Sequence, residues 1–345
     1  MESLADYRNI ADSMVDEFVE AAFSTPELKM ELRQCLSNLT SNSSLNNLPA
    51  KYHGFTFMTN ASKLPDWADV KLLKQGAYFF SNHADLIMNL LGLLSLPYCY
   101  TAANGAMVLA LSGRMDTDTG KRLFETAEFV WDVMDPDAFN PNGRGFAAIL
   151  KIRLMHAAAR YYVTKDDKWE ESFGLPVNQQ DMAGTNLSFS FIVIRGLRKF
   201  GITVSYQEQQ AFQHLWNVIG YLLGVDENLL PKSGKEAIDL EKAIKASQFK
   251  ESDHGKTLTK KLIDYFSTVR LDTKPSSQEI SQIMRYLLED DVADMLGISA
   301  SKLPAVKISL LRNINYLKDI NVTRNSTNKF QELYYNFRKN KPSFQ

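Results

Sequence analysis

The sequence predicts an all-α protein folded as a single compact multi-helix domain, globin-like in its helix packing. Three observations carry that expectation. Apolar residues recur at helical spacing through most of the chain, and the alternating pattern of a half-buried strand is scarce. Helix start and stop signals recur along it, among them Pro26, Asn178, Ser205 and Gly297. The chain has 345 residues, 45% hydrophobic and 11% aromatic, which is ample for a sizeable core.

Each element follows from local pattern. Residues 5–23 read as one amphipathic helix with Ile10, Met14, Phe18 and Ala22 on one face. Pro26 can open a second helix ending near Leu39, because a proline at the first helical position loses no hydrogen bond. Residues 37–47 are rich in Asn and Ser and read as loop. Residues 66–111 are the most apolar part. Asn89, Gly92, Pro97 and Asn104 divide it into pieces too short to span a bilayer, so buried core helices are expected there. A helix follows over 119–134, a turn-rich loop over 135–145 and a helix over 146–163. Asn178 is placed to cap the helix over 176–195, with Asp181 in its first turn. Ser205 and Glu208 form a capping box for 205–224. Residues 232–256 are charged and expected to be exposed. Helices over 257–269, 277–296 and 302–319 complete the chain, and the helices at both termini are expected to be peripheral.

Charge and composition exclude several classes of function. The net charge is −1, so nothing marks a nucleic-acid binder. The charge is unevenly spread. Residues 1–25 hold six acids against Arg8, and residues 306–345 hold eight Lys or Arg against Asp319 and Glu332. The two ends are therefore candidates to pair with each other. Cys35 and Cys99 form no CxxC, which excludes a disulfide framework. The acidic, amphipathic start is not a signal peptide, so a cytoplasmic location is expected. Glu251 and His254 make one Glu-x-x-His, where a ferritin-like di-metal site needs two. No P-loop, GxGxxG, HExxH or GxSxG is present.

The residues that invite chemistry lie in RLMHAAAR, 153–160. On a helix, Arg153 and Arg160 share a face with His156. Two guanidiniums beside an imidazole disfavour its protonation, and a neutral imidazole is the form that binds a transition metal. Ala157 and Ala159 leave room for a broad, flat group, and a haem would fit, with its iron on His156 and its propionates on the arginines. From the octapeptide alone, a core histidine hydrogen-bonded to a neighbour is the simpler account. A second polar cluster lies on the helix over 119–134, where Arg122 and Thr126 stand one turn apart with Glu125 beside them. A paired surface face explains that spacing equally well. His214 is a possible second ligand, although a satisfied core histidine is the simpler reading. His83 and Asp85 precede the apolar stretch, and His53 and His254 read as loop residues.

Four segments, in this order, carry a resemblance to a known family. They are GRGF with KIRLMHAAARYYV (143–163), GLPVNQQDMAGTNLSFSF (174–191), AFQHLWNVIGYLLGVDENLLP (211–231) and IMRYLLEDDVADMLGIS (283–299). The chain resembles the haem-dependent rubber oxygenases, or latex-clearing proteins, and the related ER-bound oxygenase of mycophenolic acid biosynthesis, over about residues 105–300. The resemblance implies an all-helical domain enclosing one b-type haem, with His156 as the proximal iron ligand. It makes Arg153 and Arg160 the propionate partners in cofactor binding, and His214 a structural residue.

The family's distal Arg-x-x-Lys-Thr maps to Arg122 and Thr126, with Glu125 in place of the lysine. A glutamate there would ligate differently or serve as a general base. The family's separate distal carboxylate has no counterpart near residues 103–113. Three regions are expected: N-terminal helices and loop over 1–65, the haem-binding catalytic domain over 66–300, and C-terminal helices with a basic tail over 301–345. The function implied is a haem b-dependent oxygenase that uses O2 on a small hydrophobic substrate, isoprenoid or lipid-like, by oxidative attack on a carbon–carbon double bond. In that role Arg122, Glu125 and Thr126 are the catalytic group. Two alternatives stand beside it: a haem protein acting as sensor or carrier, and a non-enzymatic helical protein that has lost its haem.

Overall fold

A computed structural model describes residues 3–112, 119–268, 276–310, 312 and 327–339. Among these the structure is helical, and the one β-type pairing is an isolated bridge between Ala102 and Phe249. The centre is a long helix, α4 (Val70–Leu90), packed along α11 (Tyr206–Leu222). Leu73, Ala77, Phe80, Ala84 and Ile87 recur every three or four residues on α4 and are all buried. Its start is capped by Asp69, whose carboxylate accepts from the backbone N–H of Lys71 (2.8 Å) and Leu72 (3.2 Å).

The two axes approach closely at Gly76. A Cβ at that position would lie 2.6 Å from the Ala211 carbonyl oxygen and 3.0 Å from Leu215 Cβ. The backbone of α11 cannot yield as a flexible side chain would. Gly76→Ala is therefore expected to lower stability by about 1–3 kcal/mol through overpacking, despite the better helix propensity of alanine. A urea midpoint equal to or above that of the wild type would count against this contact.

The apolar stretch is less divided than its sequence suggests. Asn89 and Gly92 do not end α4. The chain passes through one turn of π-helix, Leu91–Ser95, into α5 (Leu96–Tyr100), with Pro97 inside the first turn of α5 where its missing N–H costs little. Gly92 is set against the Phe266 ring, which would clash with any Cβ there. After Ala102 the chain enters α6 (Ala103–Leu111). No helix among the described residues is long and apolar enough to cross a membrane.

Other boundaries also move. The single helix expected over 5–23 is a 3-10 turn, Asp6–Asn9, followed by α1 (Ser13–Ala22). Asp12 sits at the break and spends its carboxylate on Arg153 instead of on capping. The helix over 176–195 is two, α9 (Gln179–Phe189) and α10 (Phe191–Lys199), broken at Ser190. The charged segment 232–256 is mostly helix: α12 (Gly234–Gln248) buries Ala237, Glu241, Ile244 and Gln248, and α13 (Asp253–Thr268) begins with His254 in its first turn, not in a loop. Glu289, at φ +76°, divides 277–296 into α14 (Ser277–Leu288) and α15 (Asp290–Met295). Of the helix expected over 302–319, residues 305–310 are helical and most of the remainder lies outside the described residues.

The terminal helices are not peripheral. Phe18 of α1 is fully buried, with the rings of Tyr52, Phe55 and Phe57 about it at 4.9–5.3 Å. The C-terminal helix Thr327–Lys339 buries Phe330 completely against Phe80 and Trp131, and stacks Phe337 on Phe124 of α7 (Thr119–Val133) at 4.9 Å. Aromatic residues one turn apart make that docking face, so burial outweighs the helix's basic composition.

Candidate functional site

His156 lies on α8 (Gly145–Val163), which packs between α1 and α7. Burial, with a smaller contribution from the Arg160 guanidinium, pushes its imidazole down from 6.5 to about 4, so the ring is neutral at physiological pH. Its Nδ1 is sealed from solvent and makes no hydrogen bond. The residue as a whole keeps some accessible surface, as do Ala158 and Ala159 beside it. A neutral imidazole with an unsatisfied nitrogen is in the state that a metal ligand requires. These features fit a residue that would hold a haem iron, and the small alanines beside it fit a flat macrocycle.

The two arginines are engaged elsewhere. Arg153 makes a bidentate pair with Asp12, Nε to Oδ2 at 2.6 Å and Nη2 to Oδ1 at 3.0 Å. Arg160 donates from Nε to Asp16 at 2.6 Å and from Nη1 to the Val177 carbonyl at 3.1 Å. Two acids of the N-terminal segment, Asp12 and Asp16, thus pair with α8; most of the basic C-terminal segment expected to pair with them lies outside the described residues. The expected propionate contacts have no support in this geometry, because each guanidinium already holds a carboxylate. Arg160 keeps one buried donor, Nη2, without a partner.

Three of the sequence segments meet around Arg153. Its Nη1 also reaches the Leu222 carbonyl at 3.4 Å. Gly224, at φ +92°, lets the chain after α11 close over the pair, since a Cβ there would lie 2.5 Å from Asp12 Oδ2 and 3.0 Å from Arg153 Nε. Gln179 ties the same knot. Its amide donates to the carbonyls of Gly224 (2.8 Å) and Ala11 (3.2 Å), and its oxygen accepts from the Asp226 N–H (2.8 Å). Arg8 does similar work nearby, pairing with Asp181 at 3.1 Å and donating to Gln248 at 2.6 Å. These polar residues brace the α8 backbone on which His156 stands. Asp12 and Asp16 were not distinguished among the six N-terminal acids by sequence. The signal available was their one-turn spacing, set against two arginines two turns apart.

The second cluster is on the neighbouring helix α7. Arg122 and Thr126 are half-buried, and the Thr126 hydroxyl donates back to the Arg122 carbonyl at 3.0 Å. Arg122 hydrogen-bonds the buried Tyr100, a residue the sequence did not mark, whose phenol burial pushes up to about 12. Glu125 is exposed, which separates it from a base sealed in an apolar pocket. Phe124 of α7 stacks on Phe337, and Phe189 of α9 packs on Trp216 at 5.4 Å. Among the described residues, no group of three or more His, Cys, Asp or Glu is placed to hold a bare metal ion.

His214 is satisfied by the backbone. Its Nε2 accepts from the Asp69 N–H at 2.9 Å, and its ring meets Trp67 at 5.8 Å. The acceptor must be unprotonated, and burial lowers its pKa below 6.5, opposed by Asp69. A histidine whose folded pKa is depressed stabilises the fold fully above its unfolded pKa, near 6.5, and loses that stabilisation as pH falls. Wild-type protein should therefore lose unfolding free energy as pH falls below about 6.5, which His214→Gln, keeping an acceptor, retains. Parallel urea midpoints for the two proteins across that range would remove this role.

Comparison with known proteins places the geometry in context. A family model described as "ER-bound oxygenase mpaB/B'/Rubber oxygenase, catalytic domain" matches residues 80–314. A rubber oxygenase of Streptomyces sp. (strain K30) is similar at 27% identity over 248 residues, which cover 70% of this chain and 60% of that protein. The matched region thus spans less than two thirds of that relative. Among solved structures, a latex clearing protein (LCP) in the closed state superposes with a TM-score of 0.78 at 24% identity, covering 97% of this chain and 90% of the other. That similarity shows a shared helical fold.

Proposed function

Because the chain belongs to the family of ER-bound mpaB/B' oxygenases and rubber oxygenases, we propose that it is a haem b-dependent oxygenase acting on a hydrophobic substrate with a carbon–carbon double bond, isoprenoid or lipid-like. The observation that carries the reading is His156: a neutral imidazole, sealed at Nδ1 and unsatisfied there, on a residue that keeps some accessible surface. A bound haem b would supply the iron centre at which O2 is activated.

The chain's own residues then have definable tasks. His156 would hold the cofactor through its neutral imidazole. The Asp12–Arg153 and Asp16–Arg160 pairs fix α8 against α1, so the imidazole is presented in one orientation. Arg160 also keeps that imidazole unprotonated, through its own charge. Arg122, steered by Tyr100, presents a guanidinium from the adjacent helix, and Thr126 adds a hydroxyl on the same face. These are the groups that would orient the substrate and O2. Glu125, exposed on the same helix, can exchange protons with bulk water.

The test is oxygen uptake. Protein supplied with haem should consume O2 in the presence of a hydrophobic alkene, and yield carbonyl products. Arg122→Ala should keep the Soret band and lose most of that uptake, on the order of 10²-fold, as expected for removal of an electrostatic donor at a reacting centre. Thr126→Val should lose less. A stable haem protein that is inert to O2 and alkene would instead favour the sensor or carrier reading. Colourless protein would favour the reading without haem.

A further inference from the structure

A basic cleft of about 430 Å³ lies between α10, α12 and α14, away from α7 and α8 and the residues proposed for the haem site. It is lined by Phe191, Arg195, Arg198, Lys199, Ile238, Tyr286 and Arg312. Arg195, Arg198 and Lys199 share one face of α10 because they are spaced three and four apart. Gly201, at φ +89°, places the fourth cation. A Cβ at 201 would lie 3.0 Å from the Cα and carbonyl oxygen of Arg312, so only glycine lets that backbone seat so close.

The four cations are unequally neutralised. Lys199 is saturated: it donates to the carbonyls of Tyr286 (3.2 Å) and Leu287 (3.1 Å), at the end of α14, and to Glu289 (2.9 Å). Its presence is explained by the negative end of that helix. Arg198 is held by Gln209 (2.8 Å) and the Val204 carbonyl (3.2 Å), neither of which carries charge. Arg195 makes a long pair with Glu241, 3.5 Å, which Glu241 shares with the Tyr98 hydroxyl, and its guanidinium stands over the Tyr98 ring at 5.2 Å. The Arg195 Nε is buried and makes no hydrogen bond. Arg312 is exposed. Among the described residues, Glu289 and Glu241 are the carboxylates that face these four cations, which leaves Arg198 and Arg312 without one and Arg195 with a distant, shared one. The rest of the wall is apolar, with the Phe191 ring and Ile238, which is 38% exposed.

We propose that this cleft binds an amphiphilic oxyanion, its carboxylate or phosphate head between Arg195 and Arg312 and its apolar body against Phe191 and Ile238. A guanidinium fork suits planar or tetrahedral oxyanions and holds them by charge-assisted hydrogen bonds. The volume accommodates a head group with a short chain. Such a ligand is either free in solution or the head of a membrane lipid, and the chemistry recognised is the same.

Titration calorimetry of the full chain with dodecyl phosphate, below its micellar concentration, tests the proposal. One molecule should bind per chain, more tightly than inorganic phosphate, which leaves the apolar wall empty. Arg312→Glu and Ile238→Asp are both at accessible positions and should keep the wild-type melting curve. Each should weaken dodecyl phosphate at least about tenfold, the effect of losing one charge-assisted contact or one apolar wall. Co-sedimentation with phosphatidylcholine vesicles containing phosphatidic acid separates the sources. Vesicle binding that Arg312→Glu abolishes, without binding of the soluble amphiphile, assigns the cleft to a lipid head group. Soluble binding without vesicle binding assigns it to a free ligand. Binding of neither, or binding unchanged in both variants, overturns the proposal.

Discussion

His156→Ala is expected to abolish haem retention. Wild-type protein expressed with haem supplied should show a Soret band, and the variant should lose at least as much affinity as the roughly 10–100-fold that removal of an outer-shell partner costs a metal site. The fold should survive. His156 makes no hydrogen bond through its buried Nδ1 and is not among the closely packed apolar side chains of α8. The variant's helical circular dichroism should match the wild type, which separates cofactor loss from unfolding. Addition of imidazole should restore part of the band if the vacated position is the ligand position. A Soret band of unchanged intensity in the variant would move the ligand elsewhere and remove the basis of the proposed function.

Asp12→Ala is expected to destabilise the protein by about 3–5 kcal/mol, because it leaves the buried Arg153 charge without its partner. The pair is bidentate and largely shielded from water, with side-chain exposures of 16% for Arg153 and 5% for Asp12. Screening therefore does little to soften the loss. The Leu222 carbonyl, at 3.4 Å, is too weak a substitute. Asp12→Asn should cost less, since an amide oxygen can still accept from the guanidinium. The doubly apolar Asp12→Leu/Arg153→Met should recover much of the stability, because both desolvated charges are gone. The informative measurement is urea unfolding of all four proteins. A loss under about 1 kcal/mol for Asp12→Ala would mean that the pair behaves as an ordinary surface bridge. The same series examines haem retention, since α8 carries His156. The double variant should fold yet hold the cofactor less well if the brace also orients the imidazole.

Much of the fold was legible because its signals are local. The capping box of Ser205 and Glu208, the cap of Asn178 on Asp181 and the stop at Gly297 are formed as their sequence spacing predicts. Each depends on residues within a few positions of one another. The misplaced boundaries have long-range causes. Asp12 breaks the first helix because a guanidinium 141 residues later takes its carboxylate. The 232–256 segment reads as exposed because its charges outnumber its apolar residues. Four positions spaced at helical intervals, Ala237, Glu241, Ile244 and Gln248, nonetheless find a core to enter. The C-terminal helix reads as a basic tail, and its aromatic face becomes visible as a core element only opposite Trp131 and Phe80.

The candidate site divides in the same way. Sequence by itself determined the helical class, the helix that carries His156 and the shared face of that histidine with two arginines, because helix geometry makes i, i+3 and i+4 neighbours whatever the rest of the chain does. It also determined the order of the segments that place the chain in its family. Only the tertiary structure decided what those side chains face. It gave Arg153 and Arg160 to Asp12 and Asp16, Arg122 to Tyr100 and His214 to a backbone amide, and it left Glu125 on the exposed side of α7. The physical reason is that a charge or a hydrogen-bonding group has a direction and a reach of a few ångströms. Which group comes within that reach is settled by packing between helices remote in sequence, and periodicity along one helix carries no information about it.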